Sequence, residues 1–266
     1  MFPGADAGRA DADYAVVGAP LDASTSFEPG ARFGPRRVRH YARHFDDYDR
    51  RTDRRFTDLS VYDHGDIGPT ADIAEYLTFL RGALSDFREE GAVPLTIGGE
   101  HTVTVAGVRA VDPDVFVSLD AHLDLRESYA GDPLSHATVT RHALDVADRA
   151  VVLGARTGNE AEWERASETD VTAVAPAEVA DWTPDFEGES VYLSVDIDGF
   201  DPGYAPGTGT MEPFGFSPRE GRRVVRDLAP AVEGFDVVEV NDRDDGQAAV
   251  LAAKLLRAFV YAHADG

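Results

Sequence analysis

Short runs of β-branched and other apolar residues alternate with helix-length amphipathic segments from Tyr14 to Tyr261, and no other feature restricts the fold as much. Strands separated by helices pair in parallel, and a parallel sheet needs helices on both faces. The strands expected are Tyr14–Gly18, Phe56–Tyr62, Val93–Ile97, Val115–Leu119, Ala150–Gly154, Val171–Val174, Val191–Val195 and Val237–Val240. The helices expected are Pro35–His44, Asp72–Glu90, Thr102–Ala110, His136–Ala147, Glu160–Ser167, Pro218–Ala231 and Gln247–Tyr261. Pro35 and Pro218 fall in first helical turns, where the missing N–H is not needed. No repeat, low-complexity tract or long linker interrupts the pattern, and 266 residues suffice for one large α/β domain or two small ones.

Ligands of such sheets bind beyond the carboxyl ends of the strands, so polar residues placed just after apolar runs carry the functional signal. Three strand ends are loaded with them. Leu95-Thr-Ile-Gly-Gly-Glu-His101 runs a strand into two glycines and leaves His101 at the mouth of a helix. Taken alone, that histidine reads as a surface or capping residue. Val115-Phe-Val-Ser-Leu-Asp-Ala-His-Leu-Asp124 places Asp120, His122 and Asp124 at alternate positions, which face one side if the strand continues. Val191-Tyr-Leu-Ser-Val-Asp-Ile-Asp198 does the same for Asp196 and Asp198, while Asp201 precedes a Pro/Gly-rich loop and reads as a turn residue. Carboxylates crowded into one cleft repel one another unless cations neutralise them. Four aspartates and two histidines make a hard O/N donor set that suits Mn²⁺, with Fe²⁺, Co²⁺, Zn²⁺ and Mg²⁺ behind it. The set exceeds the needs of one ion, and a two-metal site activating water for hydrolysis is the chemistry it implies.

Composition removes competing classes. With no cysteine, disulfides, thiolate nucleophiles, zinc–thiolate sites and iron–sulfur clusters are excluded. The chain is 43% hydrophobic, too apolar for disorder. Its 25 basic against 49 acidic residues leave a net charge of −24, which argues against a nucleic-acid partner. No apolar run approaches the length of a membrane span and no signal peptide is visible, so a soluble cytoplasmic protein is expected. Lys254 is the only lysine. An acidic chain so far from neutrality repels itself and gains from screening, which points to a high-salt cytoplasm.

In order and spacing, these motifs resemble the ureohydrolase family of arginases and agmatinases over nearly the whole chain. Gly98-Gly-Glu-His101 is similar to its Gly-Gly-Asp/Glu-His element, and Asp120-Ala-His-Leu-Asp124 to its Asp-Ala-His-x-Asp element. Ser194-Val-Asp-Ile-Asp-Gly-Phe-Asp-Pro202 with Ala205-Pro-Gly-Thr-Gly-Thr210 resembles its long third signature; Gly18–Asp22 and Pro29–Pro35 resemble its N-terminal segment. The resemblance implies one catalytic domain over residues 1–266, an arginase-like three-layer α/β/α fold with a mainly parallel sheet of about eight strands. It also implies two Mn²⁺ ions per chain: one on His101 and Asp124, the other on His122 and Asp198, with Asp120 and Asp196 bridging them. A metal-bridging hydroxide would then attack the guanidinium carbon of the substrate to give urea and an amine. His136, in Asp132-Pro-Leu-Ser-His136, matches the family's proton shuttle, its plainer role being to cap the following helix. Glu239, in an apolar run where an unpaired carboxylate is hard to explain otherwise, matches the guanidinium-binding glutamate. A homotrimer or hexamer is implied too.

The family's substrates differ in their tails. The loop Leu125-Arg-Glu-Ser-Tyr-Ala-Gly-Asp132 resembles that of microbial agmatinases, and agmatine, giving urea and putrescine, is the substrate expected. Glu127 and Asp132 are placed to meet an ammonium, whereas Arg126 would favour an acidic tail if it entered the pocket. Guanidinobutyrase, arginase and formimidoylglutamase activities stand as alternatives, and a metal-binding homologue without turnover as a weaker one. Met211, Phe214 and Asp242 depart from the family pattern and put the shape of the tail pocket in question. His40, His44, His64, His142 and His263 read as surface residues, and the Asp63-His-Gly-Asp66 turn as structural.

Overall fold

The computed structural model describes residues 1–266. In chain order its elements are β1 (Tyr14–Ala19), α1 (Gly34–Tyr41), β2 (Tyr48–Asp49), β3 (Arg54–Arg55), β4 (Val61–Asp66), α2 (Ile73–Glu89), β5 (Val93–Gly98), α3 (Thr104–Val111), β6 (Val115–Leu119), α4 (Val139–Ala143), β7 (Arg149–Leu153), α5 (Glu160–Arg165), β8 (Val171–Val174), β9 (Val191–Asp196), α6 (Pro218–Leu228), β10 (Val232–Val238) and α7 (Gln247–His263). Eight strands form one sheet in the order β4-β1-β5-β10-β9-β6-β7-β8. Every pairing within it is parallel. The strands β2 and β3 form a separate short hairpin that the alternation of apolar runs did not reveal.

Side chains alternate across the sheet and build two cores. Val16, Leu95, Val117, Leu193 and Phe235 pack with α1, α6 and α7 on one face; Ala15, Val17, Phe116, Ala150 and Tyr192 pack with α2, α3 and α4 on the other. Phe235 of β10 stacks on Phe259 of α7 at 4.7 Å between ring centroids, and burying each ring contributes about 1.5–3 kcal/mol. At the β4 edge, Arg39 of α1 clamps Asp63 through two 2.8 Å hydrogen bonds and also pairs with Asp66, so Asp63-His-Gly-Asp66 is structural, although it belongs to the strand β4 and is not the turn expected.

Several boundaries move for identifiable reasons. Phe56–Asp58 is a 3₁₀ turn, and β4 begins only after Ser60, whose φ of 50° breaks the extended chain. The segment from His136 starts as a 3₁₀ turn capped by Ser135 and becomes α-helical over Val139–Ala143. The last strand expected at Val237–Val240 is β10, which ends at Val238; Glu239 has φ 61° and lies outside the strand.

One glycine is needed for the sheet to deliver its ligands. A Cβ on Gly99 would lie 1.9 Å from the carbonyl oxygen of Leu21. Only glycine lets the end of β5 pass beneath the loop after β1, where Gly99 and Glu100 donate their N–H groups to Ala19 and Leu21.

Candidate active site

The strands β5, β10, β9 and β6 are consecutive in the sheet, and the carboxyl ends of all four open on one cavity of about 190 Å³. Past β5 stands His101, past β10 Glu239, at the end of β9 Asp196 and Asp198, and past β6 Asp120, His122 and Asp124. The six expected metal ligands and Glu239 are therefore neighbours because their strands are.

The triplet after β6 converges by a route the alternation argument did not foresee. The strand stops at Leu119, and Asp124 takes a left-handed backbone with φ 51°. Asp198 likewise sits in a 3₁₀ turn, its N–H donated to Asp196 Oδ1 at 2.9 Å. His101 Nδ1 lies 2.9 Å from Asp124 Oδ2, 3.2 Å from Asp120 Oδ2 and 3.5 Å from Asp196 Oδ2. His122 Nδ1 lies 2.9 Å from Asp198 Oδ2 and 3.7 Å from Asp120 Oδ1. Asp120 thus turns one oxygen toward each histidine and belongs to both ligand groups, His101–Asp120–Asp124 and Asp120–His122–Asp198.

These residues fit divalent cations. Nδ1 of His101 is buried and makes no hydrogen bond of acceptable geometry, although three carboxylates stand within 3.5 Å. That nitrogen and the carboxylate oxygens point at a shared space. The charge balance says the same. Burial and the Asp120 charge push Asp124 up to about 6, and burial with Asp198 and Asp120 raises Asp196 well above the usual carboxylate range. Burial also works against Asp120, but the two adjacent imidazoles outweigh it and hold that carboxyl low. Protons compensate the crowded carboxylates here, and a hard dication would do so with better geometry.

Around this centre, Glu239 is partly buried, its Oε1 accepts the His101 backbone N–H at 2.8 Å, and desolvation pushes it up to about 8. His136 lines the cavity, with Nε2 3.0 Å from Ser26 Oγ and Nδ1 3.3 Å from Ser24 Oγ. Burial and the positive charges of His101 and His122 lower it to about 4, so it is neutral at pH 7. Ser135, not His136, caps the helix that follows. Ser24 also binds Glu100, whose oxygens accept the Ser24 N–H at 2.7 Å and its hydroxyl at 2.8 Å. The sequence reading passed over Ser24, Ser26 and Glu100. The first two follow the end of β1, so the strand-end rule applied there would have found them.

The tail loop differs from expectation. Glu127 is 86% exposed and 3.5 Å from Arg141, and Asp132 caps its own turn by accepting from Leu134; neither lines the cavity. Arg126 does line it, but its Nε donates to Glu162 at 3.0 Å and its guanidinium lies over Tyr129, so its charge is already met. Met211 and Phe214 are exposed and stand outside the cavity. His263, expected at the surface, is partly buried against Tyr14.

Fold and centre together define an arginase-like three-layer α/β architecture with His/Asp ligand groups at its strand ends. Residues 12–261 match the arginase family, and the chain belongs to it. It is 34% identical to an agmatinase of Pyrococcus horikoshii over 92% of this chain and 90% of that one. It is 35% identical to the N(1)-aminopropylagmatine ureohydrolase of Thermococcus kodakarensis over 92% and 88%. The crystal structure of the agmatine ureohydrolase of Thermoplasma volcanium superposes with a TM-score of 0.94 at 31% identity, covering 99% of this chain and 94% of that one. No helix is long and apolar enough to cross a membrane.

Proposed function

We propose that this protein hydrolyses agmatine to putrescine and urea at a centre that holds two Mn²⁺ ions. The observation that carries the reading is Asp120, whose two oxygens face the two His–Asp groups while Glu239 stands in the same cavity. His101 and Asp124 would hold one ion and His122 and Asp198 the other, with Asp120 and Asp196 between them. Two ions so held supply Lewis acidity and a hydroxide nucleophile at neutral pH.

The chain's own groups do the rest. Glu239, tied to the His101 backbone, pairs with the planar guanidinium and turns its carbon toward the ligand groups. His136, which lines the same cavity, takes up a proton and passes it to the leaving amine nitrogen. The tail argument rests on charge. Among the lysines and arginines only Arg126 lines the cavity, and Glu162 already neutralises it. Nothing cationic is left for the carboxylate of arginine, guanidinobutyrate or formiminoglutamate, and a cationic or neutral tail is better served. The trimer or hexamer that the family resemblance implies belongs to the same reading.

The test is urea release by Mn²⁺-loaded protein in concentrated KCl, with agmatine, arginine and guanidinobutyrate side by side and formamide release from formiminoglutamate. Preference for agmatine supports the reading. Preference for an acidic substrate keeps the hydrolysis and overturns the argument from Arg126 and Glu162. Silence on all four with metal bound overturns the activity.

A further inference from the structure

Beneath His101 lies a buried carboxylate that the chemistry above does not use. Asp236 of β10 is fully buried, has no cation within salt-bridge distance, and stands opposite Ser194 of β9 in the strand register. It accepts three hydroxyls: Ser194 at 2.6 Å on Oδ1, and Tyr192 and Thr104 at 2.8 Å each on Oδ2. Ser194 Oγ in turn lies 3.1 Å from His101 Nε2, the only hydrogen-bond partner of that ring nitrogen.

We propose that Asp236 is a positioning residue of the metal centre: through Ser194 it fixes the His101 ring in the tautomer whose Nδ1 is free to ligate a divalent cation. The polarity of the chain of bonds carries this. An ionised carboxylate only accepts, so the single Ser194 proton is committed to Asp236. The serine oxygen then offers His101 a lone pair, and Nε2 must carry the ring proton. Nδ1 is left as the acceptor, and it is the nitrogen that faces Asp120, Asp124 and Asp196. With an amide in place of Asp236, Ser194 is free to reverse and donate to Nε2. The ring proton then moves to Nδ1, where it competes with a metal ion. A carboxylate buried without a cation is expensive, and three neutral hydroxyls do not by themselves require one. Orienting a metal-binding histidine does.

The inference rests on the metal-centre part of the proposed function and not on the substrate. Its test is a calorimetric titration of the full chain with Mn²⁺ alone, comparing wild type with Asp236→Asn, Ser194→Ala and Tyr192→Phe. Asp236→Asn and Ser194→Ala should each weaken Mn²⁺ binding by about 10- to 100-fold, while Tyr192→Phe, which touches the same carboxylate outside the relay, stays near wild type. If Asp236→Asn does not fold, Ser194→Ala carries the test, since it breaks the relay and leaves the carboxylate and its other two hydroxyls. In Zn²⁺-loaded, ¹⁵N-imidazole-labelled wild type, the His101 proton should sit on Nε2. Wild-type affinity in Ser194→Ala, an equal loss in Tyr192→Phe, or a proton on Nδ1 overturns the proposal. The two readings fail separately: urea release with unchanged Mn²⁺ affinity in the relay variants sinks only the relay, and relay-dependent Mn²⁺ binding without urea release sinks only the activity.

Discussion

Glu239 and His101 are joined by a 2.8 Å hydrogen bond from the histidine backbone N–H to Oε1, across the neighbouring strands β5 and β10. The residue proposed to receive the substrate and a residue proposed to hold metal therefore keep a fixed spacing. Glu239→Gln retains an oxygen for that N–H but loses the charge. It should keep its Mn²⁺ while kcat/KM for agmatine falls about 10²-fold or more, because hydrogen bonds to a charged group contribute about 1.5–3 kcal/mol each. Metal analysis beside steady-state kinetics checks this, and unchanged kinetics would place the guanidinium elsewhere.

Asp120 is shared by both ligand groups, so its loss should not be partial. Asp120→Ala is expected to lose Mn²⁺ loading and urea release together. Full activity in that variant, with metal counted by mass spectrometry, would contradict the shared assignment.

Replacing His136 by Asn should separate proton transfer from binding. Metal content and KM are expected to hold, while kcat drops by about 10²–10⁴-fold, the range typical of a lost acid–base group. A variant with unchanged kcat would reduce His136 to a wall of the cavity.

Much of this was legible in the residues, and the exceptions share a cause. The alternation of apolar runs and helices located all eight strands of the sheet to within a few residues except at β4 and β10, and strand-end logic picked out the metal-type ligands. What the chain could not disclose is how those ends meet. The strand β10, last in sequence, inserts between β5 and β9, and nothing local to Val232–Val238 encodes that placement. Convergence of the ligands also came from turns at Asp124 after β6 and Asp198 after β9 instead of strand pleating, since one left-handed residue or a single 3₁₀ turn redirects a side chain without leaving a periodic trace. The relay serine went unread because a single hydroxyl in a buried strand has no pattern of its own, whereas Ser24 and Ser26 do follow a strand end, that of β1, but carry hydroxyls instead of metal-type ligands.

Acid stability should carry the mark of His263, far from the metal centre. The Tyr14 phenol, pushed up to about 12 by burial, donates to His263 Nδ1 at 2.8 Å, and burial lowers this histidine from 6.5. A depressed value in the folded state means the unfolded chain binds the extra proton first. The contribution is therefore present above pH 6.5 and is lost as pH falls below it toward the folded-state value. Urea-unfolding measurements across that window should show a shallower decline for His263→Gln than for wild type.

Salt should stabilise the chain as a whole. With a net charge of −24, its carboxylates repel across the surface. Raising KCl from about 0.1 M to about 1 M shortens the screening length from about 10 Å to about 3 Å and should raise the melting temperature. A melting temperature that falls over this range in calorimetry would remove the case for a high-salt setting.

The left-handed torsions at Asp124 and Glu239 have a consequence for descent. Glycine adopts such angles freely, whereas a side chain there costs about 1–2 kcal/mol. On the roles proposed for them, the change to glycine that would silence the chain at either position also relaxes its backbone. A lineage that no longer needed this chemistry would be drawn toward those glycines, and its loss of activity would be accompanied by greater resistance to heat.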